Sequence, residues 1–139
     1  MRVRTGLRHY QPLAAKHPSK ILIHSAALPP GKAVELRDFL NNNTAHKSTV
    51  MDDVSSIKNN LRSTHYDLVL TNLSEAPDLQ KQVDYFTPNT FVVPVLLKQP
   101  KSVAKAAAQQ YKVILNNPQD GLDFLIAIAR VMDSKSKKS

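Results

Sequence analysis

The feature that most constrains this chain is a repeated sequence of short, continuous apolar runs, each followed by a loop and then a helical pattern. Ile21-Leu22-Ile23, the YDLVLTNL of residues 66–73 and the FVVPVLL of residues 91–97 place apolar side chains on successive positions, not alternate ones. A strand patterned this way is apolar on both faces, which is the condition of a strand inside a parallel sheet covered by helices on each side. Strands are therefore expected over residues 20–25, 48–51, 66–73, 91–97 and 112–115.

The segments between them carry a helical period. Pro29-Pro30-Gly31 opens a helix with Ala33, Leu36 and Leu40 on one face and Phe39 beside them, and Asn41-Asn42-Asn43 ends it. Asp52 or Asp53 caps a second helix, whose stripe is Val54, Ile57 and Leu61. A third turns Leu79, Val83 and Phe86 inward; a fourth spans residues 101–110 on the strength of its AKAAAQQ run; a fifth carries Leu122, Leu125, Ile126, Ala129 and Met132 on one face. Connections of this length exclude hairpins and require right-handed crossovers. The expected architecture is a single α/β domain with a five-stranded parallel sheet and helices on both faces. Its flavodoxin-like strand order, 2-1-3-4-5, follows by analogy.

The charge is unevenly placed. The chain has 139 residues and a formal charge of +8, of which +5 falls in residues 1–20 and +2 in residues 133–139, leaving +1 for residues 21–132. Residues 1–19 and 133–139 therefore read as a basic linker and a basic tail around a nearly neutral domain of residues 20–132, a pattern that suits a domain strung within a longer chain. A neutral body with few, dispersed aromatic residues makes nucleic acid an unexpected partner. With no cysteine, thiolate nucleophiles, disulfides and cysteine metal sites are excluded. No run approaches the roughly 20 apolar residues that span a bilayer, so no membrane insertion and a cytoplasmic location are expected.

In this topology the functional crevice lies at the carboxyl ends of the strands. Residues 50–73 (VMDDVSSIKNNLRSTHYDLVLTNL) resemble the second strand, second helix and third strand of a response-regulator receiver domain, and residues 111–132 (YKVILNNPQDGLDFLIAIARVM) resemble its fifth strand, proline-marked loop and last helix. The resemblance covers roughly residues 20–132. It implies an acidic pair that holds Mg²⁺, an Asp that accepts a phosphoryl group, a hydroxyl and a Lys, each stabilising charge during transfer. Here those positions fall on His24 and Ser25, on Asn72, on Leu97 within the window 97–99, and on Asn117 before Pro118; the aromatic switch position falls on Ile114. The resemblance thus implies a pseudo-receiver without an enzymatic activity or a cofactor. Its expected partner is a protein of a two-component phosphorelay: a histidine kinase, receiver or phosphotransfer domain, in the same polypeptide or as a second copy in a homodimer.

Lys98, Lys101, Lys105 and Lys112, with Ile114, mark the first candidate docking face. Two rivals stand beside this reading. One is a receiver-like sensor of a nucleotide second messenger, bound by the region of Lys98 to Lys112; the other is a phosphocarrier similar to the IIB subunits of sugar transport systems, with His24 as acceptor. Ser25, Thr71 and Asn72 form either a polar pocket or merely hydrated strand ends. His9, His17, His46 and His65 lie at spacings that do not suggest a metal site.

Overall fold

The computed structural model describes residues 18–138. Strands β1 (Lys20–His24), β2 (Lys47–Met51), β3 (Leu68–Asn72), β4 (Phe91–Leu96) and β5 (Leu115–Asn116) alternate with helices α1 (Lys32–Asn43), α2 (Val54–Ser63), α3 (Ala76–Phe86), α4 (Lys101–Gln110) and α5 (Gly121–Lys138). All pairings are parallel, and the order is β2-β1-β3-β4-β5. The fold is the flavodoxin-like α/β sandwich that the apolar runs predict.

Successive residues of the central strands feed two separate cores. Ile21 and Ile23, Leu68 and Leu70, and Val93 and Val95 pack against α1 and α5. Leu22, Val69 and Val92 pack on the other side against Ile57 and Leu61 of α2 and Leu79 and Val83 of α3. Burial of each such side chain contributes roughly 1.5–3 kcal/mol, so the three central strands supply the main cohesion of the domain. Gly31 starts α1 with a left-handed backbone, φ 82°, and Gly121 lets α5 approach α1 closely: a β-carbon there would lie 2.6 Å from Phe39 Cε2. Asp53, not Asp52, caps α2, its Oδ1 accepting from the Ser56 N–H at 2.8 Å.

Four details differ from the sequence expectation. Phe86 is 43% exposed, because α3 ends with it; its ring meets Tyr85 edge-on at 4.6 Å and lies under the Arg62 guanidinium at 5.0 Å. In α5, Leu122 and Leu125 are buried as expected, but Phe124, Ala127, Ile128 and Val131 complete the stripe while Ile126, Ala129 and Met132 are only half-buried. This helix has apolar residues on most of its circumference, so the period alone does not choose its buried face. Helix α5 also runs on to Lys138, so that residues 133–138 continue a helix where a tail was expected, and Lys135 Nζ bonds Asp67 Oδ1 at 2.8 Å. Of the basic linker expected over residues 1–19, residues 1–17 lie outside the described residues.

The fourth difference is β5, which occupies only Leu115–Asn116 instead of residues 112–115. Its register sets Leu96 opposite Asn116, with the Asn117 N–H bonded to the Leu96 carbonyl at 2.8 Å. Continued backwards, that register puts Pro94 where its N–H would bond the Val113 carbonyl. Proline has no N–H, so that bond is missing, and the paired ladder starts only at Leu115. Pro94 is nonetheless tolerated in an internal strand, because Phe91 and the residues two and four beyond it carry the bonds to β3 while Pro94 faces the β5 side.

The opposite sheet edge is closed by a side chain. Lys47 bonds toward the chain entering β1, so Ser48 turns its N–H and C=O outward, and the Asn41 carboxamide of α1 meets both: Oδ1 accepts from the Ser48 N–H at 2.8 Å and Nδ2 donates to its carbonyl at 3.2 Å. Asn41 stands in for an additional strand at that point and blocks edge pairing. Replacing Asn41 with Ala is expected to lower stability by about 1–3 kcal/mol in urea unfolding, as two half-buried backbone groups lose their partners; an unchanged midpoint would show that water replaces the amide at no cost.

At the amino end of the sheet, the buried His46 accepts the Ser19 N–H on Nδ1 at 3.0 Å, and Asp67 Oδ2 accepts the Lys20 N–H at 2.8 Å. Burial pushes the His46 pKa below 6.5 against the opposing pull of Asp67. Burial also pushes Asp67 up, but the bonds from Lys135 and from the Lys20 N–H, with the charges of Lys135 and His65, outweigh it and hold the carboxyl below 3.8. The folded state thus binds the His46 proton less readily than the unfolded chain. Its contribution is complete above the unfolded value and is lost as pH falls through 6.5. The unfolding midpoint is expected to drop as pH falls below 6.5 and on through the lowered folded value, and to drop less in His46→Gln; identical profiles for the two proteins would contradict this.

Candidate functional site

The carboxyl ends of the five strands bring together most of the positions singled out from the sequence, and the side chains of His24, Asn72 and Asn117 are engaged in bonding within the domain. His24 ends β1 and is 3% exposed. Its Nδ1 lies 2.9 Å from Oγ1 of Thr71, which is fully buried on the neighbouring β3. A buried imidazole needs such a partner, since an unpaired polar group in this setting costs about 1–3 kcal/mol. Ser25 begins a single 3₁₀ turn, Ser25–Ala27, closed by the Leu28 N–H on the Ser25 carbonyl at 3.3 Å. Ala27 and Leu28 fold into the α1 and α5 core, so the loop after β1 packs apolar residues where the resemblance would require a carboxylate cage.

Asn72, at the end of β3, turns its side chain into its own loop. Oδ1 accepts from the Glu75 N–H, three residues on, at 2.9 Å and from Ser74 Oγ at 3.1 Å, bonds that fix the loop leading into α3. Leu97 follows β4 half-buried against the core, and offers no hydroxyl. Asn117 adopts a left-handed backbone, φ 51°, and its Oδ1 accepts the N–H of Lys98 at 2.7 Å; Lys98 is left-handed too, φ 56°. Asn117 therefore ties the loop after β5 to the loop after β4. Its role is to hold two strained turns together, as asparagine can do with little penalty in that region.

Asp53 adds a charge that the sequence reading assigned only to capping. The Ser56 N–H, followed by the Ser56 hydroxyl, holds this exposed carboxyl below 3.8, and His24 is close enough to contribute electrostatically. The sequence gives no signal of that proximity, because it depends on the β1–β2 register that sets His24 beside Met51. Among the described residues, no group of three or more His, Asp or Glu side chains is arranged to hold a metal ion.

The lysines do not form one patch. Lys98, Lys101, Lys105 and Lys112 are all exposed, but Lys98 precedes α4 at the carboxyl edge and Lys112 follows it at the amino edge, roughly 15 Å of helix away. Helix α4 buries only Ala107, leaving Lys101 and Lys105 one turn apart on an open surface. Ile114 is half-buried against the α2 and α3 core. It also lines a cleft of about 410 Å³ between β5 and α5, together with Asn116, Asn117, Gln119, Asp123 and Arg130.

No family model and no curated protein sequence matches the chain. The pairing at the strand ends is open to direct measurement. Thr71→Val is expected to destabilise the domain by about 1–3 kcal/mol by stranding His24. In His24→Leu with Thr71→Val, the loss is expected to fall short of the sum of the two single variants; simple additivity would mean that the two side chains do not interact.

Proposed function

We propose that this chain is a receiver-like domain that takes no phosphoryl group and acts as a protein-binding module in phosphorelay signalling. The observation that carries this reading is the internal engagement of the degenerate positions. His24 is bonded to Thr71, Asn72 caps the approach to α3, and Asn117 secures the β4–α4 loop. The side chains of His24 and Asn72, at positions that would hold Mg²⁺ and accept phosphate in a working receiver, are bonded within the domain. The phosphocarrier reading is disfavoured by the same geometry, because an acceptor histidine must reach a donor and His24 is closed off from solvent.

The docking surface we assign is the α4-β5-α5 face. Its edge strand is short, its helix α4 is shallowly seated with Lys101 and Lys105 exposed, and the cleft beside Ile114 offers mixed polar contacts. A kinase, receiver or phosphotransfer domain bound there is biased between its own two states in proportion to its differential affinity for this face. No chemical step is needed for that effect.

The test is exposure of the protein to Mg²⁺ with acetyl phosphate, and separately with beryllofluoride, read by intact mass and amide NMR. The expected outcome is no mass increase and no shift at Asn72 or its neighbours. A phosphoryl adduct at any residue, His24 included, overturns the proposal.

A further inference from the structure

The missing N–H of Pro94 has a consequence at the amino half of β4. Phe91 bonds the Asp67 carbonyl of the chain entering β3, so its successor Val92 directs its own N–H and C=O to the opposite side, toward β5. The β4–β5 ladder begins only at Val95 and Leu115, so it offers Val92 no partner strand. The chain from Gln110 to Lys112 instead stands off, and a cleft of about 350 Å³ opens between it, β4 and the last turns of α3. That volume falls in the range of small-molecule sites, roughly 300–1,000 Å³.

The walls of this cleft carry opposite charges that do not neutralise one another. Asp84 on α3 and Lys112 after α4 both line it, yet no ion pair joins them, and Lys112 has no ion-pair partner among the described residues. Gln80 holds the Asp84 carboxylate in place through Nε2 at 2.8 Å, and Gln110 adds a second amide to the lining. Tyr111 forms part of the same wall; it is 5% exposed, and its hydroxyl has no hydrogen-bond partner among the described residues. A peptide group turned out of its ladder, two side-chain amides and two separated opposite charges thus surround one small space.

From this arrangement we infer that the cleft between β4, α3 and the Gln110–Lys112 segment binds a small zwitterion, an amino acid or its close analogue. The ligand ammonium faces Asp84, and the carboxylate faces Lys112 and the Val92 peptide group. A ligand with one charge alone leaves one wall unmet. This site lies at the amino end of the sheet, away from the degenerate receiver positions, and stands whether or not the domain docks a phosphorelay partner.

The experiment is a titration of the purified chain with each free L-amino acid at millimolar concentration, followed by amide NMR and thermal unfolding. At least one amino acid is expected to shift the amides of Val92 and Lys112 and to raise the unfolding temperature. Asp84→Asn and Lys112→Met alter exposed side chains, and each is expected to weaken that binding by about tenfold or more. Propionate and propylamine, which carry one charge each, are expected to bind at least as much more weakly. Silence across the whole panel overturns the inference. So does binding that survives in both variants, or a single-charge compound that binds as well as the amino acid. The phosphodonor experiment reads different residues, so failure of either proposal is distinguishable from failure of the other.

Discussion

The whole architecture depends on β1, β3 and β4 being buried on both faces. A strand with Ile21, Leu22 and Ile23 all fully buried cannot lie at a solvated surface, so helices must cover each side of the sheet and the chain must cross over between parallel strands. That condition also decides where polar chemistry is permitted. Side chains within the sheet are apolar almost throughout, and polar groups gather at the strand ends: His24, Thr71 and Asn72 at the carboxyl edge, Ser19, His46 and Asp67 at the amino edge. Each of these near-buried groups must find a partner or weaken the fold.

A single residue, Pro94, sets the asymmetry of the sheet. On the β2 side, the edge is finished by the Asn41 carboxamide, which satisfies Ser48 as a further strand would. On the β5 side, the lost N–H shortens the ladder to two residues, and α4 above it rests on little more than Ala107. Few buried contacts and few ladder bonds are the marks of a segment with low local stability. The β5 edge is therefore the edge that the core holds least firmly.

Much of this was legible in the residues. Consecutive apolar positions identify the buried strands, and the stripes of α1 and α2 bury Ala33, Leu36, Phe39, Leu40, Ile57 and Leu61 as expected, with Val54 only half-buried, because the opposite faces are mostly polar and Val34 alone competes on α1. Helix α5 was misread in its rotation for the opposite reason. Strand β5 was placed too early because the Val113 to Leu115 run is apolar enough for a strand, and its failure to pair is decided by a proline 19 residues earlier. His24 and Asn72 lie at the ends of β1 and β3, and Leu97 and Asn117 directly follow β4 and β5. What they bond to was not foreseeable: the His24–Thr71 contact needs the β1–β3 pairing, and the Asn117–Lys98 contact needs both loops in place.

The two ends of the sheet resolve the same physical demand in different ways. At the carboxyl edge, buried polar atoms are paired with one another, and apolar Ala27 and Leu28 fill the loop after β1; pairing of this kind fixes geometry and leaves little for an incoming ligand to satisfy. At the amino end of β4, Val92 presents a peptide group that the ladder leaves over, beside charges held apart by the cleft. Recognition is strongest where a ligand supplies bonds that the protein does not make for itself. On that principle the carboxyl edge, with its polar atoms already paired, leaves an incoming ligand less to satisfy than the β4–β5 side, where the ladder stops short at Leu115.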